Sequence, residues 1–162
     1  MRPLSIEETA TAAHGRLIRK GKAPGITGVS TDTRTMRPGD LFVPLIGERF
    51  DGHKFLPQAV QKGAVAVLTQ DLRNPLPDGI STIYCENTLT SLQELAAWYL
   101  KSMRIPVVAV TGSTGKTSTR DMIACVLSEQ YCVLSTQGNF NNAIGLPLTL
   151  FRLEPCHQVA VL

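Results

Sequence analysis

Several features that mark specialised protein classes are scarce or missing in this sequence. Lysine and arginine never form a run longer than two residues, and the net charge of +3 over 162 residues is small. The sequence therefore gives little support to a nucleic-acid-binding function. No apolar segment is long enough to span a bilayer, and the acidic Glu7 and Glu8 stand where a signal peptide would carry its apolar core. These absences predict a cytoplasmic protein that is not inserted into a membrane.

Cysteine and histidine are few and widely spaced. The four cysteines form no C-x-x-C pair, and none of the three histidines has a metal-ligand spacing. Without an export signal, we expect free thiols rather than a disulfide framework. Cys125 and Cys156 lie in or beside apolar runs, which predicts that they are small core residues.

The strongest chemical signal is a glycine-rich turn that follows the apolar, β-branched residues 107–110. The turn reads Thr-Gly-Ser-Thr-Gly-Lys-Thr over residues 111–117, and a helical pattern comes after it. A strand, such a turn and a helix N-terminus in that order allow backbone amides to surround phosphate oxygens. Lys116 would then contact the β- and γ-phosphates of ATP, and the Thr117 hydroxyl would be a ligand of Mg²⁺.

The turn departs from the general P-loop pattern at one position. That pattern has a glycine five residues before the Gly-Lys pair, where this sequence has Val110. We therefore interpret the turn as a shortened P-loop. The alternative, a solvent-facing turn whose lysine has no function, agrees less well with the strand before it and the helix after it.

Hydrophobic periodicity predicts an α/β protein made of two parts. Residues 1–104 are predicted to form a small N-terminal α/β domain. Residues 105–162 are predicted to form the first part of a P-loop ATPase domain with a parallel sheet. Residues 158–162 have the pattern of the middle of a buried strand, so we expect a truncated domain and a chain that is the N-terminal part of a longer protein.

Within the first part, the local pattern predicts three elements. Ser5-x-x-Glu8 is a capping box, and the apolar spacing after it predicts a helix that continues to Gly21. Residues 41–46 predict a strand, in which Pro44 favours an edge position or a bulge. Asn87 is predicted to cap a long amphipathic helix.

Four stretches resemble the Mur ligase family. Residues 28–45 and the loop 47–53, together with residues 63–67, are similar to the N-terminal substrate domain of these enzymes. Residues 111–117 look like their shortened P-loop. Residues 136–150, which contain Gly-Asn-Phe-Asn-Asn, resemble the branch of the family whose acceptor is a dipeptide.

The resemblance implies an ATP-dependent amide ligation in the synthesis of peptidoglycan precursors. The terminal carboxylate of UDP-N-acetylmuramoyl-tripeptide would attack the γ-phosphate of ATP to give an acyl phosphate. The amine of D-alanyl-D-alanine would then displace phosphate. ATP and Mg²⁺ are the implied cofactors, and a monomer is the implied state of the full-length protein. Further ligands and a C-terminal domain of the family lie outside this chain, so we expect the chain alone to be inactive.

The resemblance also assigns roles to individual residues. The implied ATP-binding residues are Gly112, Ser113, Thr114, Gly115, Lys116, Thr117 and Ser118. Lys116 and Thr117 are the implied catalytic residues, and Thr117 is the implied metal ligand. The implied substrate-binding residues are Ser30, Thr31, Asp32, Thr33 and Arg34 for the uridine nucleotide, Arg49 for the UDP-sugar, and Asn139, Asn141 and Asn142 for the muramoyl-peptide. The asparagines have a structural alternative, a turn in which Asn142 caps the next helix.

Three other functions remain open from the sequence. The first is the sister ligase that adds the third amino acid of the peptide, which the Gly-Asn-Phe-Asn-Asn block disfavours. The second is a non-catalytic module that binds a UDP-sugar or a nucleotide. The third, a P-loop kinase or nucleotide switch, leaves the loops at 30–34 and 47–53 without a role.

Overall fold

The structure, a computed structural model, describes residues 1–48, 50–73, 79–138 and 140–162. The chain separates into two compact units, one formed by Pro3–Leu95 and the other by Met1–Arg2 with Ala96–Leu162. One long helix crosses from the first unit to the second, and the domain limits 1–104 and 105–162 remain predictions. Among the residues that the structure describes, no helix combines the length and apolar character needed to cross a bilayer.

The first unit is built from short strands, two α-helices, a 3₁₀ helix and the start of a long α-helix. Its elements are β1 (Leu4–Ser5), α1 (Ile6–Ala12), β2 (Arg16–Arg19), β3 (Gly25–Ile26), β4 (Gly28–Ser30), β5 (Asp40–Phe42), β6 (Ile46–Gly47), β7 (Phe50–Asp51), a 3₁₀ helix (Gly52–Phe55), α2 (Leu56–Gln61), β8 (Ala66–Thr69), β9 (Ser81–Tyr84) and the start of α3 (Thr88–Met103).

Five of these strands form one sheet in the order β2-β9-β8-β5-β4. Strands β4, β5, β8 and β9 are parallel, and β2 joins the edge antiparallel to β9. All residues of β5 and β8 are buried, as expected for central strands of a parallel sheet. The core on which α2 packs contains Met36, Phe42, Leu56, Ala59, Ala64, Val67 and Ile80. Because the four strands are parallel, the loops that follow them lie at one edge of the sheet.

Helix α1 is shorter than its sequence pattern predicts. The capping box is present, since Glu8 N donates to Ser5 Oγ (3.0 Å) and Ser5 N donates to Glu8 Oε2 (2.9 Å). The helix ends at Ala12 rather than Gly21, and His14 has a positive φ of 50°. Leu17, which fits a helical spacing, instead pairs with Ile83 across the β2–β9 ladder. The prediction was wrong because one apolar residue satisfies both the helical and the strand period.

Strand β5 also differs from its prediction. It stops at Phe42 rather than Ile46 and lies inside the sheet, between β4 and β8. Pro44 therefore comes after the strand and not at an edge or a bulge, because it has no N–H to donate to a neighbouring strand. Asn87 caps α3 as predicted, with its Oδ1 accepting from Thr90 N at 3.0 Å.

The second unit continues with β10 (Val107–Val108), α4 (Lys116–Ser128), β11 (Val133–Ser135), α5 (Gly145–Leu150) and β12 (Val159–Val161). Its three strands are parallel in the order β10-β12-β11, and β12 is fully buried. Tyr99 of α3 is buried in this unit, and its hydroxyl donates to Leu153 O at 2.8 Å. The predicted α/β class with a parallel sheet is confirmed.

Two cysteines occupy positions that the sequence does not predict. Cys125 and Cys156 are exposed rather than buried, and only Cys85 among the four cysteines is buried. Cys125 lies on the outer face of α4 beside Val126, whose exposed fraction is 72%. An apolar run therefore did not indicate burial here, because α4 carries apolar residues on its solvent side.

Candidate nucleotide site and substrate loops

The turn between β10 and α4 has the backbone geometry of a phosphate-binding loop. Gly112 has a φ of 150° and Gly115 a φ of 76°, and Gly115 immediately precedes the first residue of α4. A Cβ on Gly115 would meet no atom within 4 Å. Glycine is therefore required there by the left-handed backbone and not by crowding.

This turn surrounds an open pocket of about 220 Å³ that is lined by residues 113–118. All side chains in residues 111–117 are exposed except that of Lys116, which is half-buried. The amino end of α4, with its free N–H groups and positive dipole end, opens into the same space. The predicted ATP-binding residues other than Gly112 thus line one pocket.

The side chain of Lys116 folds back over the turn. Its Nζ donates to Gly112 O at 2.5 Å, so the ammonium group lies across the mouth of the loop. Thr117 and Ser118 follow on the first turn of α4, and both are exposed. Their hydroxyl groups are available to a ligand in the pocket.

Sequence reasoning missed Arg120, one helical turn after Lys116. Its side chain is 9% exposed, and its Nη1 donates to Gly138 O at 3.1 Å. The Nε and Nη2 atoms donate to Asp121 Oδ1 at 2.9 and 2.7 Å. Arg120 thereby connects the P-loop helix to the loop after β11. Its i+4 spacing from Lys116 places it on the same helix face, which is the signal that could have found it.

The asparagine loop has a clear structural role. Asn142 Oδ1 accepts from Gly145 N at 2.7 Å and from Ile144 N at 3.1 Å, so this side chain caps the start of α5. A Cβ on Gly145 would lie only 2.7 Å from Phe140 Cα, so glycine at this position allows the loop to approach the helix closely. Asn141 is exposed, and Asn139 lies outside the described residues. A contact of these asparagines with substrate stays a prediction.

The first predicted substrate loop follows β4 and is held by its own hydrogen bonds. Ser30 is buried, and its Oγ donates to Asp32 O at 2.9 Å and accepts from Asp32 N at 3.2 Å. Thr33 is buried as well and donates to Gln58 Oε1 of α2 at 2.6 Å. The hydroxyls of Ser30 and Thr33 therefore shape the loop, while Thr31 is half-buried.

Asp32 and Arg34 form a fork at the surface of this loop. Arg34 Nη2 donates to Asp32 Oδ2 at 2.6 Å, and Arg34 N donates to Asp32 Oδ1 at 2.9 Å. The guanidinium holds the pKa of the Asp32 carboxyl below its ordinary value. With 85% of its side chain exposed, Arg34 presents its remaining donors to solvent or to a ligand.

A second turn of the same pattern follows β8. Thr69 Oγ1 donates to Asp71 O at 2.9 Å, and Arg73 Nη2 donates to Asp71 Oδ2 at 2.9 Å. Hydrogen bonding from Arg73 lowers the pKa of Asp71 to about 2. This turn was not predicted, although the spacing Thr69-x-Asp71-x-Arg73 repeats Ser30-x-Asp32-x-Arg34. Since β5 separates β4 from β8, the two forks lie on either side of it at the carboxyl edge of the sheet.

The loop after β5 ends at a buried histidine. His53 is 4% exposed, and its Nδ1 lies 2.8 Å from Asp51 Oδ1. Its Nε2 is buried and has no partner among the described residues. Arg49, predicted to bind the UDP-sugar from this loop, lies outside the described residues. The segments that follow β4 and β5 begin at one edge of the sheet, where ligands of open parallel sheets bind.

Known proteins resemble the chain over both units. Residues 25–111 match the description "Mur ligase family, catalytic domain", and residues 110–162 match "Mur ligase middle domain". A UDP-N-acetylmuramoyl-tripeptide–D-alanyl-D-alanine ligase from Bacillus subtilis is 51% identical over 138 residues, which cover 85% of the chain and 30% of that ligase.

Solved structures agree in fold. MurF from Acinetobacter baumannii superposes with a TM-score of 0.88 and 32% identity, over 99% of the chain and 35% of that protein. MurF ligase from Thermotoga maritima in complex with ADP gives a TM-score of 0.72 and 32% identity, over 82% of the chain and 30% of that protein. The chain therefore spans about a third of the length of these relatives.

Proposed function

Because the chain belongs to the Mur ligase family, we propose that it forms part of an ATP-dependent ligase that joins D-alanyl-D-alanine to UDP-N-acetylmuramoyl-tripeptide. The name of the Bacillus subtilis relative, 51% identical to the chain, supports both the donor and the acceptor. The protein would act in the cytoplasm as a monomer. Its product would be a precursor of peptidoglycan.

The observation that carries this proposal is the pocket between β10 and α4. Two glycines with positive φ, the amino end of a helix and a lysine converge there on a space of about 220 Å³. Anionic oxygens are the ligands that such a set of donors prefers. The relative from Thermotoga maritima was solved with ADP. We assign the triphosphate of ATP to this pocket.

Roles of the pocket residues follow from their chemistry. The amides of residues 113–116 would hold the phosphate oxygens. Lys116 would leave Gly112 O and place its charge on the β- and γ-phosphates. The exposed hydroxyl of Thr117 fits a hard cation, and Mg²⁺ bound there would neutralise part of the phosphate charge. Ser118 would offer a second hydroxyl.

The reaction brings together two anions, a carboxylate and a triphosphate. Their repulsion is the main obstacle, so concentrated positive charge is the main contribution that the chain can make. Attack of the tripeptide carboxylate on the γ-phosphorus forms an acyl phosphate and releases ADP. The amine of D-alanyl-D-alanine then attacks the acyl carbon, and phosphate leaves. Lys116 and the loop amides stabilise the charge that develops on the transferred phosphoryl group.

The loops at the carboxyl edge of the first unit would hold the UDP part of the substrate. Arg34 and Arg73 each use part of their guanidinium on a neighbouring aspartate and keep other N–H donors free for phosphate or uracil oxygens. Thr31 and Arg49 belong to the same proposed surface. Asn139 and Asn141 would contact the muramoyl-peptide, while Asn142 would act by capping α5.

The proposal is tested by ADP release from the protein that carries this chain, supplied with ATP, Mg²⁺ and UDP-N-acetylmuramoyl-tripeptide. Release that requires D-alanyl-D-alanine is the expected result. Release with UDP-N-acetylmuramoyl-dipeptide and a single amino acid, and none with the tripeptide and D-alanyl-D-alanine, would assign the protein to the sister ligase instead. Binding of the UDP-substrate without turnover under either condition would leave a binding module and overturn the ligase assignment.

A further inference from the structure

Three potential metal ligands meet at the edge of the second unit that lies opposite the P-loop. Cys132 precedes β11, and Cys156 and His157 precede β12, so all three lie at the amino ends of adjacent parallel strands. The P-loop follows the carboxyl end of β10 in the same sheet. The cluster is therefore separate from the proposed nucleotide pocket.

The distances within the cluster are short. Cys132 Sγ lies 3.5 Å from Cys156 Sγ, and Cys156 Sγ lies 4.0 Å from His157 Nδ1. One ligand atom from each of the three residues lies within 4.8 Å of the others. Both cysteines are exposed and unbridged, so an ion in solution has direct access to them.

The backbone holds the two ligand-bearing segments together. Gln158 N donates to Cys132 O at 2.8 Å, and Cys132 N donates to Gln158 Oε1 at 3.1 Å. A turn closed by His157 N donating to Glu154 O at 2.9 Å contains Pro155 at its second position. Proline fixes φ in such a turn. The ligands thus stand on restrained backbone rather than on a free loop.

A backbone hydrogen bond also indicates which nitrogen of the His157 imidazole is an acceptor. Glu154 N donates to His157 Nδ1 at 2.9 Å, so Nδ1 carries a lone pair and not a proton. This is the nitrogen that faces Cys156 Sγ. A cation at Nδ1 would displace the Glu154 amide, and because Glu154 is exposed water can take up that N–H at little cost.

We propose that Cys132, Cys156 and His157 form a binding site for a thiophilic divalent cation, of which Zn²⁺ is the representative. Two sulfur ligands and one imidazole select Zn²⁺ over the hard Mg²⁺ ion. The exposed position leaves the fourth tetrahedral place to water. Binding replaces both thiol protons by bonds to the metal, and these two protons are released to solvent.

The dimensions of the cluster agree with this assignment. With Zn–S bonds of about 2.3 Å and Zn–N bonds of about 2.0 Å, tetrahedral geometry sets the sulfur atoms roughly 3.8 Å apart and each sulfur roughly 3.5 Å from the nitrogen. The two closest observed separations, 3.5 and 4.0 Å, differ from these by about 0.3 and 0.5 Å, and the third pair of ligand atoms lies within 4.8 Å. Binding would therefore require rotations about χ1 that draw the three ligand atoms closer together.

A bound ion would fasten the turn at Glu154–His157 to the start of β11. It would therefore stabilise the parallel pairing of β11 and β12, and with it the unit that carries the P-loop. This stabilisation by the ion needs no nucleotide. The metal site can therefore be tested independently of the ligase assignment.

The test measures Zn²⁺ bound to the protein after reduction with a phosphine, followed by equilibrium dialysis and elemental analysis. One Zn²⁺ per chain is expected for the native protein and for Cys125→Ser, which removes an exposed cysteine outside the cluster. Cys132→Ser, Cys156→Ser and His157→Asn should each weaken Zn²⁺ affinity by about tenfold or more. Because these side chains are at the surface, the variants should keep the native circular dichroism spectrum.

A second probe distinguishes the proposed ligands from other surface groups. Co²⁺ added to the reduced native protein should give the absorption of thiolate-to-metal charge transfer, and the double variant with Cys132→Ser and Cys156→Ser should lack it. Zn²⁺ should raise the melting temperature of the native protein but not of the double variant. Absence of stoichiometric Zn²⁺ binding, or equal binding by the double variant, would overturn the proposal.

Discussion

The guanidinium of Arg120 donates to the carbonyl oxygen of Gly138 at 3.1 Å and thereby joins the P-loop helix to the loop after β11. Since the side chain is buried, loss of the contact leaves a carbonyl without its charged donor. Arg120→Ala should lower the free energy of unfolding by about 1.5–3 kcal/mol, the range for hydrogen bonds to charged groups. Chemical denaturation measures this change.

A control for Arg120 is available in the same unit. Arg152 is exposed, and Arg152→Ala should change stability by less than about 0.5 kcal/mol. If the two variants are equally stable, the contact between Arg120 and Gly138 does not hold the loop. Arg120→Lys should recover only part of the loss, because lysine lacks the fork that also reaches Asp121.

Gly115 is required by its backbone conformation. Gly115→Ala should cost about 1–2 kcal/mol of stability because φ is 76°, and it should also weaken nucleotide binding. Gly47→Ala is the matched control, since a Cβ at either position meets nothing within 4 Å and Gly47 is not among the glycines with positive φ. Thermal unfolding of both variants separates strain from crowding. Equal melting temperatures would contradict the assignment of strain.

Lys116 is expected to act on the nucleotide and not on the UDP-substrate. Lys116→Ala should reduce ligase kcat/KM by on the order of 10²-fold, as for loss of one preorganised donor. The affinity for UDP-N-acetylmuramoyl-tripeptide should be almost unchanged, and Lys101→Ala should leave both quantities unchanged. A parallel loss of substrate affinity and kcat/KM would mean that the loop is wrongly assigned or that the fold is damaged.

The ion pairs Asp32–Arg34 and Asp71–Arg73 lead to a prediction about the pKa of each aspartate and its effect on stability. Hydrogen bonding from Arg73 lowers the pKa of Asp71 to about 2, below its unfolded value of about 3.9. The ion pair therefore stabilises the fold above the unfolded pKa, and this contribution is lost as the pH falls through the folded pKa. Carboxyl ¹³C chemical shifts, followed against pH by NMR, measure the pKa directly.

Arginine variants then test which partner controls which carboxyl. Arg73→Gln should raise the pKa of Asp71 and leave that of Asp32 unchanged. Arg34→Gln should raise the pKa of Asp32, which its own arginine holds low, and leave Asp71 unchanged. A shift of both carboxyls in either variant would show that the forks are not independent.

Capping and substrate contact can be separated in the asparagine loop. Asn142→Ala removes the acceptor of two amides at the start of α5 and should lower stability by about 0.5–2 kcal/mol. Asn141→Ala should not change stability but should raise KM for the UDP-substrate. Steady-state kinetics and denaturation of both variants give the two readouts. A stable Asn142→Ala protein would refute the cap.

Local sequence was enough to predict the strand, glycine turn and helix around the pocket of residues 113–118, because these parts are contiguous. The strand, the two glycines, Lys116 and the helix follow one another, so their order fixes their geometry. Leu17 shows the limit of this reasoning, since a single apolar residue agrees with a helix and with a strand. Only the pairing with Ile83 decides between them.

Features that depend on strand pairing could not be found in this way. Cys132 and His157 are brought together by the parallel register of β11 and β12, and their separation in the sequence gives no metal-ligand pattern. The turn with Asp71 and Arg73 repeats the spacing of the turn with Asp32 and Arg34. Only the strand order shows that both turns lie at the same edge of the sheet, on either side of β5. The charge pattern did not reveal the contact of Arg120 with the loop after β11, since its partner there is the backbone carbonyl of Gly138.

The strand order of the second unit has a consequence for how it assembles. Among the described residues, β12 lies between β10 and β11 and pairs with both of them. During synthesis the P-loop and its helix therefore emerge before their sheet can exist. Until β12 has left the ribosome, neither β10 nor β11 can form the pairing with it that is seen in the sheet.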